Sequence, residues 1–267
     1  MSVTAFTARA FGVHYEVSVT DASLLPKVVA CLPPGSRLSR TSRAGARVYS
    51  IVSSETRSAD GVRPFWRVYD DDHLEAEVFA EADALHVFEG LVRFDVARLS
   101  PRWTFIHAGA VGWKGRAVLI PGASHSGKSS LVDALVRAGA SYYSDEYAVL
   151  DRRGRLYPFA KPLQLRREDG RVDRVEPEDI GGTRGTERLP VSLVMATQYV
   201  AGTQWAPATE TAGSTVLALL AHAVRAQTAP ARVLKTLAHA AETAVTLAGD
   251  RGEARDIADD VLRRVTA

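Results

Sequence analysis

The sequence predicts an α/β fold with a small α+β domain in front of it, and three observations predict it. An apolar strand, Ala117 to Ile120, runs into a glycine-bounded segment, and an amphipathic helix, Ser130 to Ala138, leaves it with apolar positions 131, 132, 135 and 136. Before that, short alternating segments change to helical spacing at Glu81. After it, an apolar strand, Val191 to Val200, is followed by a helical C-terminal third.

The first 80 residues read as strands at Phe11 to Val19, Arg47 to Ser53, Phe65 to Asp70 and His73 to Phe79. One short helix, Ser23 to Leu32, is stopped by Pro33-Pro34-Gly35. From Glu81 to Leu99 the apolar positions 84, 85, 88, 91, 92, 96 and 99 keep helical spacing until Ser100-Pro101 ends it. The expected division is therefore an accessory domain over residues 1–80 and a larger domain over 81–267, with 81–100 as the linking helix. The accessory domain carries no readable motif. Phe105 to Val111 and Arg116 to Ile120 read as a hairpin turned at Gly112-Trp113-Lys114-Gly115, and Gly139 suits the C-terminal cap of the helix that follows. Tyr142 to Leu150 and Leu156 to Phe159 read as another strand pair. The stretch 166–188 is rich in Arg, Asp, Glu and Gly without apolar periodicity, and is expected to be a long mobile loop. Helices are expected over Thr215 to Ala226, Ala231 to Val245 and Glu253 to Val265.

The glycine-bounded segment carries the chemistry. Gly122, Ala123, Ser124, His125, Ser126, Gly127, Lys128 and Ser129 fit the pattern G-x-x-x-x-G-K-[ST] at every fixed position, and Ser130 follows. Glycines let a backbone turn tightly and bring its amides to a phosphate chain, and the positive end of the next helix points at the same place. Lys128 supplies a cation for the β- and γ-phosphates, and the Ser129 hydroxyl is a ligand for Mg²⁺. A nucleoside triphosphate, ATP with Mg²⁺, is the expected ligand. The chain has no asparagine, so neither the Asn-Lys-x-Asp guanine reader nor the catalytic-loop asparagine of ordinary protein kinases can exist in it.

Two adjacent carboxylates, Asp145 and Glu146, follow a strand that leaves the helix about 16 residues beyond Ser129. There they can divide the work, one holding the metal and one accepting a hydroxyl proton. Asp151 is the rival acid, but it precedes Arg152-Arg153-Gly154, which suits a turn.

Composition bounds the rest. With 46% hydrophobic residues in 267 there is enough for a sizeable core, and a formal net charge of +2 gives no sign of a nucleic-acid or membrane-surface partner. The one cysteine, Cys31, excludes an internal disulfide, and neither a signal peptide nor a membrane span is apparent. A cytoplasmic setting is expected, and self-association into a homo-oligomer stays open.

Together, Ile106-His107-Ala-Gly, the hairpin, Val118 through Ser130, Leu135 to Gly139, and Ser144-Asp145-Glu146 resemble the catalytic domain of bacterial HPr kinase/phosphorylase, which is distantly similar to phosphoenolpyruvate carboxykinase. The resemblance covers about 103–166. It implies a P-loop catalytic domain of that fold, with Gly127, Lys128 and Ser129 at the nucleotide and metal positions. Asp145 matches the general base, Glu146 the acid near the metal, and His107 the active-site histidine. The sequence departs from the family where Glu146 replaces an aspartate, where Gln164 stands in place of a further acid, and where the glycine-rich signature tied to HPr is absent. An acceptor other than HPr is therefore implied. The chain looks more like the shorter HPr-kinase-like proteins found with lasso-peptide and other natural-product pathways, some of which phosphorylate a precursor serine.

The expected activity is transfer of the γ-phosphoryl group to a serine-like hydroxyl of a peptide or small molecule. Lys161, Arg166 and an arginine of the 166–188 stretch are the candidate charge stabilisers. The alternatives are a nucleotide-binding partner protein without transferase activity, and a phosphorylase or carboxykinase-type enzyme using another phosphoryl donor.

Overall fold

The computed structural model describes residues 3–39, 45–58, 61–123, 126–166 and 170–266. It is a mixed α/β protein with several sheets, and the chain divides into two compact units, Met1–Arg102 and Trp103–Ala267.

The first unit begins with β1 (Thr4–Ala10), β2 (Val13–Val19), a 3-10 turn at Ala22–Leu24 and α1 (Leu25–Ala30). It continues through β3 (Arg37–Ser39), β4 (Arg47–Ser58), β5 (Gly61–Asp70), β6 (His73–Val78) and α2 (Glu81–Leu99). The strands form one sheet in the order β3-β1-β2-β4-β5-β6. Alternation drives it: in β2, Val13, Tyr15, Val17 and Val19 are buried and the residues between them are half-buried. Helix α2 buries Ala84, Phe88, Val92 and Val96, a row spaced by four, and packs on β4, β5 and β6. The helix expected to link two domains thus belongs to the first unit, and the division falls after Arg102 rather than after residue 80. Its apolar row is satisfied by that sheet, and Asp95 on it accepts from Tyr49 Oη at 2.8 Å and from Arg47 Nε at 3.0 Å.

The second unit opens with β7 (Thr104–Trp113), β8 (Arg116–Pro121), α3 (Lys128–Arg137), β9 (Ser141–Ser144) and β10 (Tyr147–Leu150). Then come β11 (Leu156–Tyr157), β12 (Leu163–Arg166), β13 (Val172–Val175), a 3-10 turn at Pro177–Ile180, β14 (Thr183–Arg184) and β15 (Val191–Tyr199). It closes with β16 (Ala208–Glu210), α4 (Ala212–Leu220), α5 (Pro230–Ala241), β17 (Val245–Arg251) and α6 (Ala254–Arg264). The main sheet runs β11-β10-β7-β8-β15-β17-β16, and its centre, β8, β15 and β17, is parallel. From Ala117 to Pro121 strand β8 is apolar without a break because both its faces are covered. Val118 and Ile120 pack with Leu131, Leu135, Ile257 and Val261 of α3 and α6. Ala117 and Leu119 pack on the other side with Leu219, Val233 and Leu237 of α4 and α5.

Two expectations need correction. The stretch 166–188 is not an irregular loop where it is described. Strands β12 and β13 pair antiparallel from Leu163↔Val175 to Arg166↔Val172, and β14 runs parallel to β9. Gly182 N donates to Pro177 O at 2.8 Å, and Gly185 N to Tyr142 O at 2.8 Å. Backbone bonds order this segment, and its charged composition does not report them. The C-terminal third is not all helix either. Residues 245–251 form β17, a strand paired between β15 and β16, where helix had been expected up to Val245. No helix among the described residues is long and apolar enough to cross a membrane.

Candidate active site

The site lies at the C-terminal ends of the parallel strands, where open α/β sheets bind ligands. Strand β8 ends at Pro121 and the chain turns into the loop. Gly127 takes φ 82°, a left-handed conformation that favours glycine, and caps the start of α3. The helix begins at Lys128, two residues earlier than expected, so Lys128 and Ser129 stand in its first turn. Their amides face the anion site that every helix N-terminus offers. Ser124 and His125 lie outside the described residues.

Lys128 is 7% exposed, and its Nζ donates to the Ala123 carbonyl at 2.6 Å, which holds the ammonium over the loop. Burial pulls its pKa down, and Asp145 opposes the fall. Gly122 and Ser126 are adjacent in space, since a Cβ on Gly122 would lie 2.5 Å from Ser126 Oγ. Ser130 points outward, exposed.

The acidic pair reaches the loop through β7. That strand pairs with β8 on one edge (Ala108↔Pro121) and with β9 and β10 on the other (Ala110↔Ser144, Tyr147↔His107). The turn Ser144-Asp145-Glu146 joins β9 to β10 one strand away from the loop. The Ser144 hydroxyl shapes it by accepting from Glu146 N at 3.1 Å and Tyr147 N at 3.0 Å.

Asp145 is almost fully enclosed. Its Oδ1 accepts from Tyr142 Oη at 2.9 Å and sits 2.9 Å from Lys161 Nζ. Its Oδ2 accepts from Gln164 N at 2.9 Å and from Ser129 Oγ at 3.4 Å. Burial first, then Asp145, pushes the Tyr142 phenol well up, so it keeps its proton and donates. The Glu146 side chain is 26% exposed, with Lys161 Nζ 3.7 Å from its Oε2. Gln164, which stands where an acid was expected, contributes its backbone N–H.

His107 is half-buried in β7, its backbone N–H bonded to the His222 carbonyl at 2.8 Å. Burial, then Lys128 and His222, bring its pKa down to about 4, so the imidazole is neutral at physiological pH. Arg166 is not brought to this cluster. It is exposed at the end of β12, and its Nη1 donates to Gly170 O at 3.4 Å, closing its own hairpin. Asp151 has the turn role expected of it. Its Oδ1 accepts from Arg153 N and Arg155 N, and its Oδ2 from the Arg155 guanidinium. Burial alone would raise its pKa, but those donors outweigh burial and hold it below the usual range.

Sequence reasoning missed Arg251. It stands at the end of β17, 2% exposed, and its Nη2 donates to the Gly127 carbonyl at 2.7 Å. Val245-Thr246-Leu247 ahead of Gly249 is too short a segment to signal the strand, and nothing local marks the arginine. A cleft of about 640 Å³ opens beside the loop, lined by Gly122, Ser126, Thr197, Tyr199, His222 and Asp250 among others.

Taken together, the first helical turn with Lys128, the Ser129–Asp145 approach and the buried Lys161 can hold a phosphate chain beside a carboxylate pair. No protein-family model matches the chain, and no curated protein matches it. Among solved structures the chain is similar to the HPr(Ser) kinase/phosphatase from Coxiella burnetii, at 15% identity and a TM-score of 0.34, over 61% of this chain and 93% of that one. A superposition that loose assigns no role to any residue.

Proposed function

We propose that the chain is an ATP- and Mg²⁺-dependent phosphotransferase whose acceptor is a hydroxyl, serine-like, of a peptide or small molecule. The carrying observation is the placement of Lys128 and Asp145 around Ser129. The cation and hydroxyl share the first turn of α3, and the carboxylate lies 3.4 Å from that hydroxyl.

The residues suit a magnesium ion. Ser129 and Asp145 offer one hydroxyl and one carboxylate, and no group of three or more His, Cys, Asp or Glu among the described residues could hold a metal alone. The remaining ligands would be phosphate oxygens and water, as Mg²⁺ prefers. When bound, the ion neutralises charge on the β- and γ-phosphates.

The chain's own groups do the rest. Loop amides and Lys128 hold the phosphates, and Lys161 offsets charge beside both carboxylates. Glu146, partly exposed, takes the proton of the acceptor hydroxyl as the new O–P bond forms and the bond to the β-phosphate oxygen breaks. This exchanges the two acid roles that the family resemblance implies. The reason is reach: Asp145 is 2% exposed, Tyr142 and Lys161 take its Oδ1, and its Oδ2 faces Gln164 N and Ser129, where an ion shared with that hydroxyl would replace the 3.4 Å contact, so no lone pair is left for the acceptor hydroxyl. Neutral His107 orients groups by hydrogen bonding rather than by charge. The absence of asparagine favours ATP over GTP, and the single Cys31 suits a reducing compartment such as the cytosol.

The same enclosure of Asp145 supports a second reading, nucleotide binding without transfer. One experiment separates them. Incubate the protein with MgATP and candidate peptides or metabolites, and follow a mass gain of one phosphoryl group alongside ATP affinity, with Lys128→Ala as control. Transfer lost in the control supports the kinase, binding without any transfer supports the second reading, and unchanged turnover in Lys128→Ala overturns the loop assignment.

A further inference from the structure

Arg251 is a charge in an expensive place. Among the described residues its buried guanidinium has no carboxylate within ion-pair distance, and its Nε has no hydrogen-bond partner. Burying a cation so incompletely paired weakens a fold unless something else repays it. One of its contacts reaches the loop, and the others brace it from β17 and β15. Nη2 donates to Gly127 O at 2.7 Å, Nη1 to Gly252 O at 3.0 Å, and the guanidinium lies 5.7 Å from the centre of the Tyr199 ring, a residue of the cleft wall. A Cβ on Gly127 would fall 2.5 Å from Nη2, so the arginine fills the space that only glycine leaves.

The carbonyl it grips is a particular one. Gly127 O also accepts the first bond of α3, from Leu131 N at 3.1 Å, so two donors fix its direction. A peptide unit is planar, and its N–H points opposite its C=O. Fixing the Gly127 carbonyl therefore fixes the Lys128 N–H, one of the amides that a helix start turns toward an anion. The positive charge behind that peptide adds to the same attraction.

We propose that Arg251 is a positioning residue of the phosphate-binding loop, aiming the Lys128 amide at the phosphate chain through the Gly127 carbonyl and lending its buried charge to phosphate binding. The proposal rests on the phosphate-binding reading above and adds a residue outside the motif to it.

The test measures affinity for inorganic tripolyphosphate and for ATP, each with magnesium, next to melting temperature, for the wild type, Arg251→Met, Arg251→Lys and Lys128→Ala. Arg251→Met should weaken both ligands about tenfold or more, the scale of a lost charge-assisted contact. Its melting temperature should stay level or rise, because an incompletely paired buried charge is gone. Arg251→Lys keeps the charge without the fork and should fall between. Should Arg251→Met fail to fold, weakened tripolyphosphate binding by a stable Arg251→Lys carries the proposal. Wild-type affinity in a folded Arg251→Met, or affinity that falls only in step with melting temperature in both variants, overturns it. If Lys128→Ala loses binding while Arg251→Met keeps it, the failure belongs to Arg251 alone. If the wild type binds neither ligand, the phosphate reading fails and takes this one with it.

Discussion

One buried ammonium faces both carboxylates of the acidic pair, with Lys161 Nζ 2.9 Å from Asp145 Oδ1 and 3.7 Å from Glu146 Oε2. Its side chain is 5% exposed and that of Asp145 2%, so neither partner can turn to water if the other is removed. Breaking such a pair leaves a buried charge uncompensated, which costs about 3–5 kcal/mol. Lys161→Met should therefore destabilise the protein by about 3 kcal/mol, at the low end because Tyr142 and Gln164 still donate to Asp145. In the double variant with Asp145→Asn the losses should fall well short of additive. Denaturant unfolding of the four proteins checks this, and strict additivity would show that the two groups do not interact.

His107 gives stability an acid-side dependence. Burial, then Lys128 and His222, set its pKa at about 4 in the folded protein, against 6.5 for the free side chain. Between those values the unfolded chain binds a proton that the folded one refuses. The contribution is fully present above about pH 6.5 and is lost as pH falls toward 4. His222, lowered by burial and then by Lys128, acts in the same direction. His107→Gln should thus lose less stability than wild type between about pH 7 and pH 5. Equal losses in the two proteins would place the imidazole in water.

The segment from 170 to 188 should behave as packed structure at Gly185. A Cβ there would lie 1.9 Å from Tyr143 Cε2, and Tyr143 is held by its hydroxyl on Glu187 O at 2.8 Å. Gly185→Ala forces the ring or the strand to move and should destabilise by about 1–3 kcal/mol, as overpacked cores do. Thermal unfolding reads the effect. A variant as stable as wild type would mean that the ring yields freely.

How much of this was legible varied with the kind of signal. Helix α2 was readable to the residue, Glu81–Leu99, because a long apolar row at helical spacing ends at Ser100-Pro101. The glycine-bounded segment and the adjacent Asp145 and Glu146 were readable as a candidate site because phosphate chemistry calls for glycine, lysine and carboxylate, and the structure brings Ser129 within 3.4 Å of Asp145. Strand β17 was not, since seven residues flanked by alanine-rich helices show no period of their own, and its place follows from pairing with β15. The β12–β13 hairpin was missed because its ladder is made by backbone groups, while its side chains read as solvated charge. Arg251 was missed with its strand: 124 residues separate it from the carbonyl it holds, and no local pattern spans that distance.

The last prediction concerns which carboxylate does what. The family resemblance implies that Asp145 is the base and that Glu146 stands by the metal; the contacts argue for the reverse. A base must offer a lone pair to the acceptor hydroxyl and must be reachable. Both oxygens of Asp145 are engaged by Tyr142, Lys161, Gln164 and Ser129, and the last contact turns it toward the first turn of α3. The Glu146 side chain keeps 26% of its surface open beside Lys161. Glu146→Gln keeps shape but cannot take a proton at neutral pH, so turnover should fall by about 10² or more while ATP affinity and magnesium dependence stay near wild type. Asp145→Asn should instead shift the magnesium concentration needed for half-maximal binding, because the group facing Ser129 has lost its charge. Titrating magnesium at fixed ATP for both variants, and measuring single-turnover transfer at saturating magnesium, separates the roles. If Asp145→Asn restored with excess magnesium still transfers no phosphoryl group, while Glu146→Gln transfers normally, the base is Asp145 and the order implied by the family stands.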